Sequence, residues 1–248
     1  MNERQARRCC WLWLLGLALA PGILPAQGIT VRGQITLVPL NKKSRAGGNP
    51  RAVVWLTPLK TATMPSDVQT KPAAGRFRLV QKNKQFTPHI LVIPAGSTVE
   101  FPNHDPFFHN VFSLFNGKRF DLGLYEAGTS RAVRFNEPGI CYIFCNIHPE
   151  MSAVIFVMKT RYYAISSRAG QILINGVPPG RYRLNLWDEH CLPDALRALS
   201  RDVIISPSAS SLGNIRLPQS GDLLSKHKNL YGRDYDPGAS AYPNFNPQ

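Results

Sequence analysis

The chain has 248 residues, enough for one large β domain or two small ones that each bury an apolar core. Its 29 basic and 15 acidic residues give a net charge of +14, which favours acidic proteins and anionic membrane or cell-wall surfaces as partners, although a solvated basic surface without a specific partner fits equally. Since no nucleic-acid-binding motif accompanies this charge, we predict no nucleic-acid partner.

The first 26 residues have the pattern of an export signal. Three arginines precede an apolar run from Cys9 to Leu24, and the small residue Ala26 offers a cleavage point. Gly16 and Pro21 interrupt the apolar run, so we favour a cleaved signal peptide over 1–26, with an uncleaved membrane anchor as the alternative. We therefore expect a periplasmic or extracellular protein.

The remaining sequence predicts short β-strands separated by turns. Alternating or continuous apolar runs place strands at 33–37, 52–56, 89–103, 130–145, 152–158, 170–189 and within 203–217. A short helix is predicted over 193–202, with Pro193 in its first turn. The composition from residue 219 onward predicts a flexible tail, 219–248. The predicted fold class is all-β, built from β-sandwiches.

One segment, GICYIFCNIHPEM (139–151), gathers two cysteines, a histidine and a methionine. Outside the leader the chain has three cysteines, Cys141, Cys145 and Cys191. An odd number in an exported protein leaves at least one cysteine unpaired or bound to something else. The segment is therefore a candidate metal site.

Four interpretations of this segment compete. A disulfide between Cys141 and Cys145 needs Cα atoms within about 7 Å, whereas four residues of extended strand span roughly 13 Å. A two-copper centre needs both thiolates on one loop, and the Tyr-Ile-Phe between them suits a strand better, so this interpretation is unfavoured but open. Zinc sites do not recruit thioethers, which would leave Met151 to ordinary core packing.

The fourth interpretation is one copper ion held by two imidazoles, a thiolate and a weak axial thioether. It needs a second histidine besides His148. His109 precedes Asn110 at the entry to an apolar segment, which suits a ligand at the end of a sandwich. His104 lies mid-loop and is expected to face water, and His89 is expected to lie within a strand as a structural residue. We therefore predict His109.

Residues 86–158 resemble the cupredoxins, the blue-copper family that includes plastocyanin, pseudoazurin and amicyanin. The matching stretches, in order, are VIPAGSTVEFPNHD, FHNVF, EPGICYIFC and CNIHPEM. Two residues separate the last histidine and the methionine, as in the short loop of amicyanin. The resemblance covers about a third of the chain and implies a cupredoxin Greek-key sandwich.

The resemblance also implies a site and a function. One copper ion, cycling between the cuprous and cupric states, would be held by His109, Cys145, His148 and Met151. Asn110 would hydrogen-bond across to the Cys145 loop and so support the cofactor. The protein would be an electron carrier rather than an enzyme, exchanging electrons at the His148 edge with an acidic redox protein such as a cytochrome or dehydrogenase.

Phe107, Phe108 and Pro149 would form an apolar docking patch around that edge, with core packing of the phenylalanines as the alternative.

Two other functions stay open. One is a copper carrier or sensor without rapid electron exchange, and the other is a wall- or partner-binding β-sandwich.

Two stretches flanking this region resemble the transthyretin-like sandwich of carboxypeptidase regulatory domains: VRGQITL and SRAGQILINGVPPGRYRLNLWDE. We therefore predict N-terminal strands and loops over 27–80, a cupredoxin domain over 81–159 and a second small sandwich over 160–218. The N-terminal strands would belong to the second sandwich if the copper domain is inserted within it.

Overall fold

The computed structural model describes residues 28–40, 51–59, 72–114, 118–220 and 227–235. The predicted signal peptide, residues 1–26, lies outside them. Apart from one short helix, the regular secondary structure of the described residues is β-strand, which confirms the all-β class. Their strands are β1 (Ile29–Pro39), β2 (Val53–Pro58), β3 (Arg76–Arg78), β4 (Val80–Lys82), β5 (Gln85–Thr87), β6 (Ile90–Pro94), β7 (Ser97–Pro102), β8 (His109–Ser113), β9 (Phe120–Tyr125), β10 (Ser130–Phe135), β11 (Gly139–Phe144), β12 (Ser152–Met158), β13 (Tyr163–Ile165), β14 (Gln171–Val177), β15 (Gly180–Trp187), β16 (Arg201–Ile205) and β17 (Ser211–Gln219), and a helix, α1, spans Pro193–Leu199.

Strands β3 to β12 form the central sandwich. One sheet has the order β10-β7-β3 and the other β6-β12-β11-β8-β9, while β4 and β5 form a separate hairpin. Strands β6 and β7 belong to different sheets, so the tight turn between them carries the chain across the sandwich, with Gly96 at a φ of 90°. Apolar side chains of both sheets, among them Phe101, Ile143 and Ile155, are buried in one cluster.

The other strands form the second sandwich, with sheet orders β14-β1-β17 and β13-β2-β15-β16. Strand β1 pairs antiparallel with β14 and parallel with β17, and β2 pairs antiparallel with β13 and β15. The first two described strands therefore pair with four of the last five, β13, β14, β15 and β17, and the central sandwich lies between them in sequence. Insertion of the central sandwich into the second sandwich would give this connectivity. The domain boundaries at residues 80, 159 and 218 stay a prediction.

The two sandwiches share an apolar core. Phe144 and Phe156 of the central sandwich belong to the same buried cluster as Trp187 of β15. The rings of Phe156 and Trp187 lie 5.1 Å apart, and the Trp187 indole N–H donates a hydrogen bond of 3.1 Å to the Tyr142 hydroxyl. The five-stranded sheet therefore buries apolar side chains on both faces, as the continuous apolar run of β12 predicts.

The later part of the chain refines two expectations. The predicted helix is present and ends at Ser200, because β16 begins at the next residue. The stretch 203–217 holds parts of two strands, β16 and β17, rather than one, because a turn at Ser206–Ala209 separates them. No helix among the described residues is long and apolar enough to cross a membrane.

Candidate metal centre

Three of the four predicted ligands meet at one end of the central sandwich. His109 is the first residue of β8, while Cys145 and His148 lie in the loop between β11 and β12. The Sγ atom of Cys145 is 3.8 Å from Nδ1 of His109 and 3.5 Å from Nδ1 of His148. All three side chains are buried, and their ligand atoms lie within 4.8 Å of one another. Two imidazole nitrogens and a thiol therefore converge on one point.

Met151, the fourth predicted ligand, closes the loop through its main chain. The amide of Cys145 donates to the carbonyl oxygen of Met151 at 3.2 Å, and the amide of Met151 donates to the carbonyl oxygen of His148 at 3.1 Å. The Met151 side chain is fully buried in the same apolar cluster as Cys145. These bonds fix the main chain of all three residues relative to one another, and an axial role for the thioether stays a prediction.

A carboxylate that the sequence reasoning missed orients His109. Oδ2 of Asp105 lies 2.7 Å from Nε2 of His109, and the same carboxylate accepts hydrogen bonds from the amides of Asn83 and Lys84 at 2.6 and 2.9 Å. With Nε2 protonated as the donor to Asp105, Nδ1 of His109 presents its lone pair toward Cys145. The Asp-x3-His spacing was the one sequence signal for this contact.

Burial sets the protonation of the three donors. It lowers the pKa of His109 even though Asp105 acts in the opposite direction. Together with the neighbouring His109 and the positive charge of Lys84, burial lowers the pKa of His148 to about 4. Both imidazoles are therefore neutral near pH 7. Burial also raises the pKa of the Cys145 thiol, whereas main-chain amides directed at the sulfur, including that of His148, favour the thiolate. Two neutral imidazoles and a thiol that amides can stabilise as thiolate are donors that fit copper.

Asn110 ties β8 to both of its neighbours. Its Oδ1 accepts a hydrogen bond of 3.3 Å from the amide of Asn146, next to Cys145, and its Nδ2 donates a hydrogen bond of 2.7 Å to Asp121 on β9. The side chain thus makes the contact across to the Cys145 loop that the resemblance implied.

The aromatic ring of Phe107 packs against both histidines of the cluster. The ring of Phe107 lies 5.2 Å from the His109 ring and 5.7 Å from the His148 ring, and the Lys84 ammonium lies 5.7 Å from the Phe107 centroid. His148, expected at the exposed edge, is only 4% exposed, whereas Phe108 is 52% exposed. Phe107 therefore packs on the histidines, and Phe108 is the apolar side chain that faces solvent.

The described histidines and cysteines that were not predicted as ligands lie outside the His109, Cys145 and His148 cluster. His104 is exposed, as expected. His89 lies in the bend between β5 and β6 rather than inside a strand, and its Nε2 is 2.6 Å from a carboxylate oxygen of Glu189 in the second sandwich. Cys141 and Cys191 are buried free thiols, and burial raises their pKa values to about 11 and about 12.

The loop between β11 and β12 is here called the metal loop, because it carries the candidate ligands Cys145 and His148. Residues 227–235, here called the C-terminal segment, pack against it. The His227 ring stacks on Phe144 at a centroid distance of 4.1 Å. The amide of Leu230 donates to Oδ1 of Asn146 at 2.8 Å, and the Tyr235 hydroxyl donates to the carbonyl oxygen of Cys145 at 2.8 Å. This part of the predicted flexible tail makes specific contacts, which its composition did not indicate. Residues 221–226 and 236–248 of that tail lie outside the described residues.

No protein-family model matches the chain, and no curated protein matches it. Among solved structures, a purple cupredoxin from Nitrosopumilus maritimus is 27% identical with a TM-score of 0.30, over 33% of this chain and 98% of that one. A reduced amicyanin variant is 20% identical with a TM-score of 0.32, over 36% of this chain and 97% of that one. A copper-containing nitrite reductase from Thermus scotoductus is 23% identical with a TM-score of 0.33, over 51% of this chain but only 28% of that one. The solved structures to which this chain is similar thus include cupredoxins.

Proposed function

We propose that this chain is an exported protein that holds a single copper ion and carries single electrons between redox proteins. The observation that carries the proposal is the convergence of two buried imidazole Nδ1 atoms on the Sγ of Cys145, at 3.8 and 3.5 Å. Two histidines and one cysteine, with a methionine close by in sequence, are the ligand set of mononuclear blue-copper electron-transfer sites. Bound copper would supply a one-electron couple.

The residues around the donors suit such a function because they hold the ligands still. Asp105 fixes the His109 ring, Asn110 joins β8 to the loop of Cys145, and the main-chain bonds of Met151 close that loop. A rigid ligand shell moves little when the oxidation state changes, so little reorganisation opposes electron exchange. These contacts also set the basicity of the ligands.

The surface near the site suits a transient acidic partner. Phe108 is exposed beside the site, and Lys84 lies over the neighbouring Phe107 ring. An apolar side chain next to a cation fits an acidic redox protein such as a cytochrome or dehydrogenase, bound through a small and short-lived interface. The net positive charge also suits association with an anionic membrane or cell-wall surface. We expect a carrier rather than a catalyst.

Reconstitution with cupric ion tests the proposal. We expect one copper per chain, an intense visible thiolate-to-copper absorption and the electron-spin spectrum of a single blue-copper ion. A colourless complex, or a spectrum of two coupled coppers, would overturn it.

One observation favours a second candidate, a copper carrier or sensor without rapid electron exchange. His148 is 4% exposed beneath Phe107, so the edge expected to meet a partner is largely covered. Stopped-flow mixing of the reduced protein with an oxidised cytochrome separates the two candidates. Slow exchange together with ready loss of copper to a chelator would favour the second.

A further inference from the structure

A large cavity lies where the central and second sandwiches meet, and it is separate from the metal centre. Its volume is about 680 Å³, within the range of cavities that bind small organic molecules. Aromatic side chains from both sandwiches line it: Trp55, Phe112, Tyr142, Phe144 and Trp187. The C-terminal segment contributes a further wall through His227 and Gly232. The cavity therefore has the size and the aromatic lining of a ligand site.

A buried carboxylate forms part of the lining. Asp188 is 1% exposed and follows Trp187 at the end of β15. Its Oδ1 accepts hydrogen bonds from the amide and Nδ1 of His190 at 2.9 and 3.1 Å. Its Oδ2 is also buried but accepts no hydrogen bond from any residue that the structure describes. A buried carboxylate oxygen is costly without a donor, so a donor brought by a ligand of this cavity would stabilise it.

The other charged side chains of the lining already have partners. Glu189 pairs with His89, Arg197 with Asp194, and Lys228 with Asp234. Among the charged groups of the lining that the structure describes, the Asp188 carboxylate holds the buried oxygen that has no donor. A ligand that meets this oxygen should bring a positive hydrogen-bond donor, because charge-assisted hydrogen bonds are stronger than neutral ones.

We propose that this cavity binds a small aromatic molecule that carries a protonated amine. The aromatic ring would pack among Trp187, Tyr142 and Phe144, and the ammonium group would donate a hydrogen bond to Oδ2 of Asp188. Phe144 directly precedes Cys145 in the chain, so such a ligand would bind beside the metal loop without contacting its donors. The proposal is independent of copper binding.

Titration of the mature, metal-free protein with phenethylamine tests the proposal. Trp55 and Trp187 line the cavity and are the tryptophans outside the predicted leader, so their fluorescence reports occupancy. We expect saturable binding of phenethylamine, and binding of 3-phenylpropionate at least tenfold weaker, because its carboxylate would face Asp188. No binding of the amine, or equal binding of both compounds, would overturn the proposal.

A matched pair of variants locates the site. Asp188→Asn keeps the shape of the side chain and should weaken phenethylamine binding at least tenfold, whereas Asp202→Asn, at an exposed position on β16, should leave it within twofold. Equal effects would contradict the assignment. If Asp188→Asn fails to fold by circular dichroism, the preference of the unmodified protein for the amine over the carboxylate still decides the proposal. Repeating the titration with Cys145→Ser separates this outcome from any failure of the copper site.

Discussion

The phenolic hydroxyl of Tyr235 donates a hydrogen bond of 2.8 Å to the main-chain carbonyl oxygen of Cys145, 90 residues earlier in the chain. Nε2 of His227 lies 3.0 Å from the same hydroxyl, and the His227 ring stacks on Phe144. The C-terminal segment therefore holds the main chain of the proposed thiolate ligand from outside its own loop. Removing this contact should affect both the stability of the fold and the retention of the metal.

The variant Tyr235→Phe tests this contact. It removes the hydroxyl that donates a hydrogen bond to the carbonyl oxygen of Cys145. We therefore expect the free energy of unfolding of the metal-free protein to fall by about 1 kcal/mol. Copper should also be lost faster to a competing chelator, because the loop is less restrained. Urea denaturation and chelator-release kinetics measure the two effects. Tyr231→Phe is the control, since Tyr231 is 75% exposed in the same segment, and equal changes in both variants would contradict the prediction.

The two cysteines of the 139–151 segment should respond differently to substitution. Cys145→Ser should abolish the visible absorption of the copper-loaded protein, because the thiolate that produces it is gone. Cys141→Ser should retain the absorption, since Cys141 is a fully buried free thiol on β11, where burial raises its pKa to about 11. Visible spectra of both variants at equal copper loading provide the measurement. Loss of colour in both would support a centre with two thiolates.

The contact between Asp105 and His109 should influence both the affinity of the site for copper and the reduction potential of the bound copper. Asp105→Asn replaces the anionic acceptor of the His109 Nε2–H with a neutral one, and such outer contacts typically change metal affinity by 10–100-fold. We expect copper binding to weaken by about that factor and the reduction potential to rise, because the cupric state loses a nearby negative charge. Chelator competition and voltammetry measure these quantities. Asp202→Asn, on the exposed surface of the second sandwich, should change neither.

The closeness of Cys145 and His148 could be predicted from the sequence, because the two residues are three positions apart in one loop. His109 could be chosen because it stands at the start of an apolar strand. Asp105 and Tyr235 could not, because their roles depend on contacts that the fold makes, and the Asp-x3-His spacing by itself does not show that the two side chains meet. His89 was misplaced for a related reason, since the β-prone run after it does not reveal that β6 begins only at Ile90.

The assignment of strands to individual sheets could not be predicted from the sequence either. Strands β14 and β15 flank a tight Pro-Pro-Gly turn, yet β14 pairs with β1 while β15 pairs with β2 and β16. Alternating side chains predict that each strand has a buried face, but they do not say which sheet that face covers. The all-β class was therefore predictable, whereas the pairing of β1 with β17 near the other end of the chain was left open.

The ion pair between His89 and Glu189 joins the two sandwiches and should make their stability depend on pH. The hydrogen bond to Glu189, together with the charge of that carboxylate and a contact of 3.1 Å with the Ser152 carbonyl, raises the pKa of His89 despite partial burial and a nearby Arg51. A folded-state pKa above the unfolded value means that the pair stabilises the fold fully below about pH 6.5, the ordinary value for histidine. That contribution is lost as the pH rises through the raised pKa.

The variant His89→Gln should therefore lower the free energy of unfolding by about 1.5 to 3 kcal/mol at pH 5.5, the usual range for a hydrogen bond to a charged group, and by less at pH 8.5. Urea denaturation of the metal-free protein at the two pH values measures the difference. His104→Gln is the control, since His104 is an exposed loop residue whose replacement should have little effect at either pH. A loss of the same size at both pH values would mean that His89 stabilises the contact between the sandwiches through packing alone, without its charge.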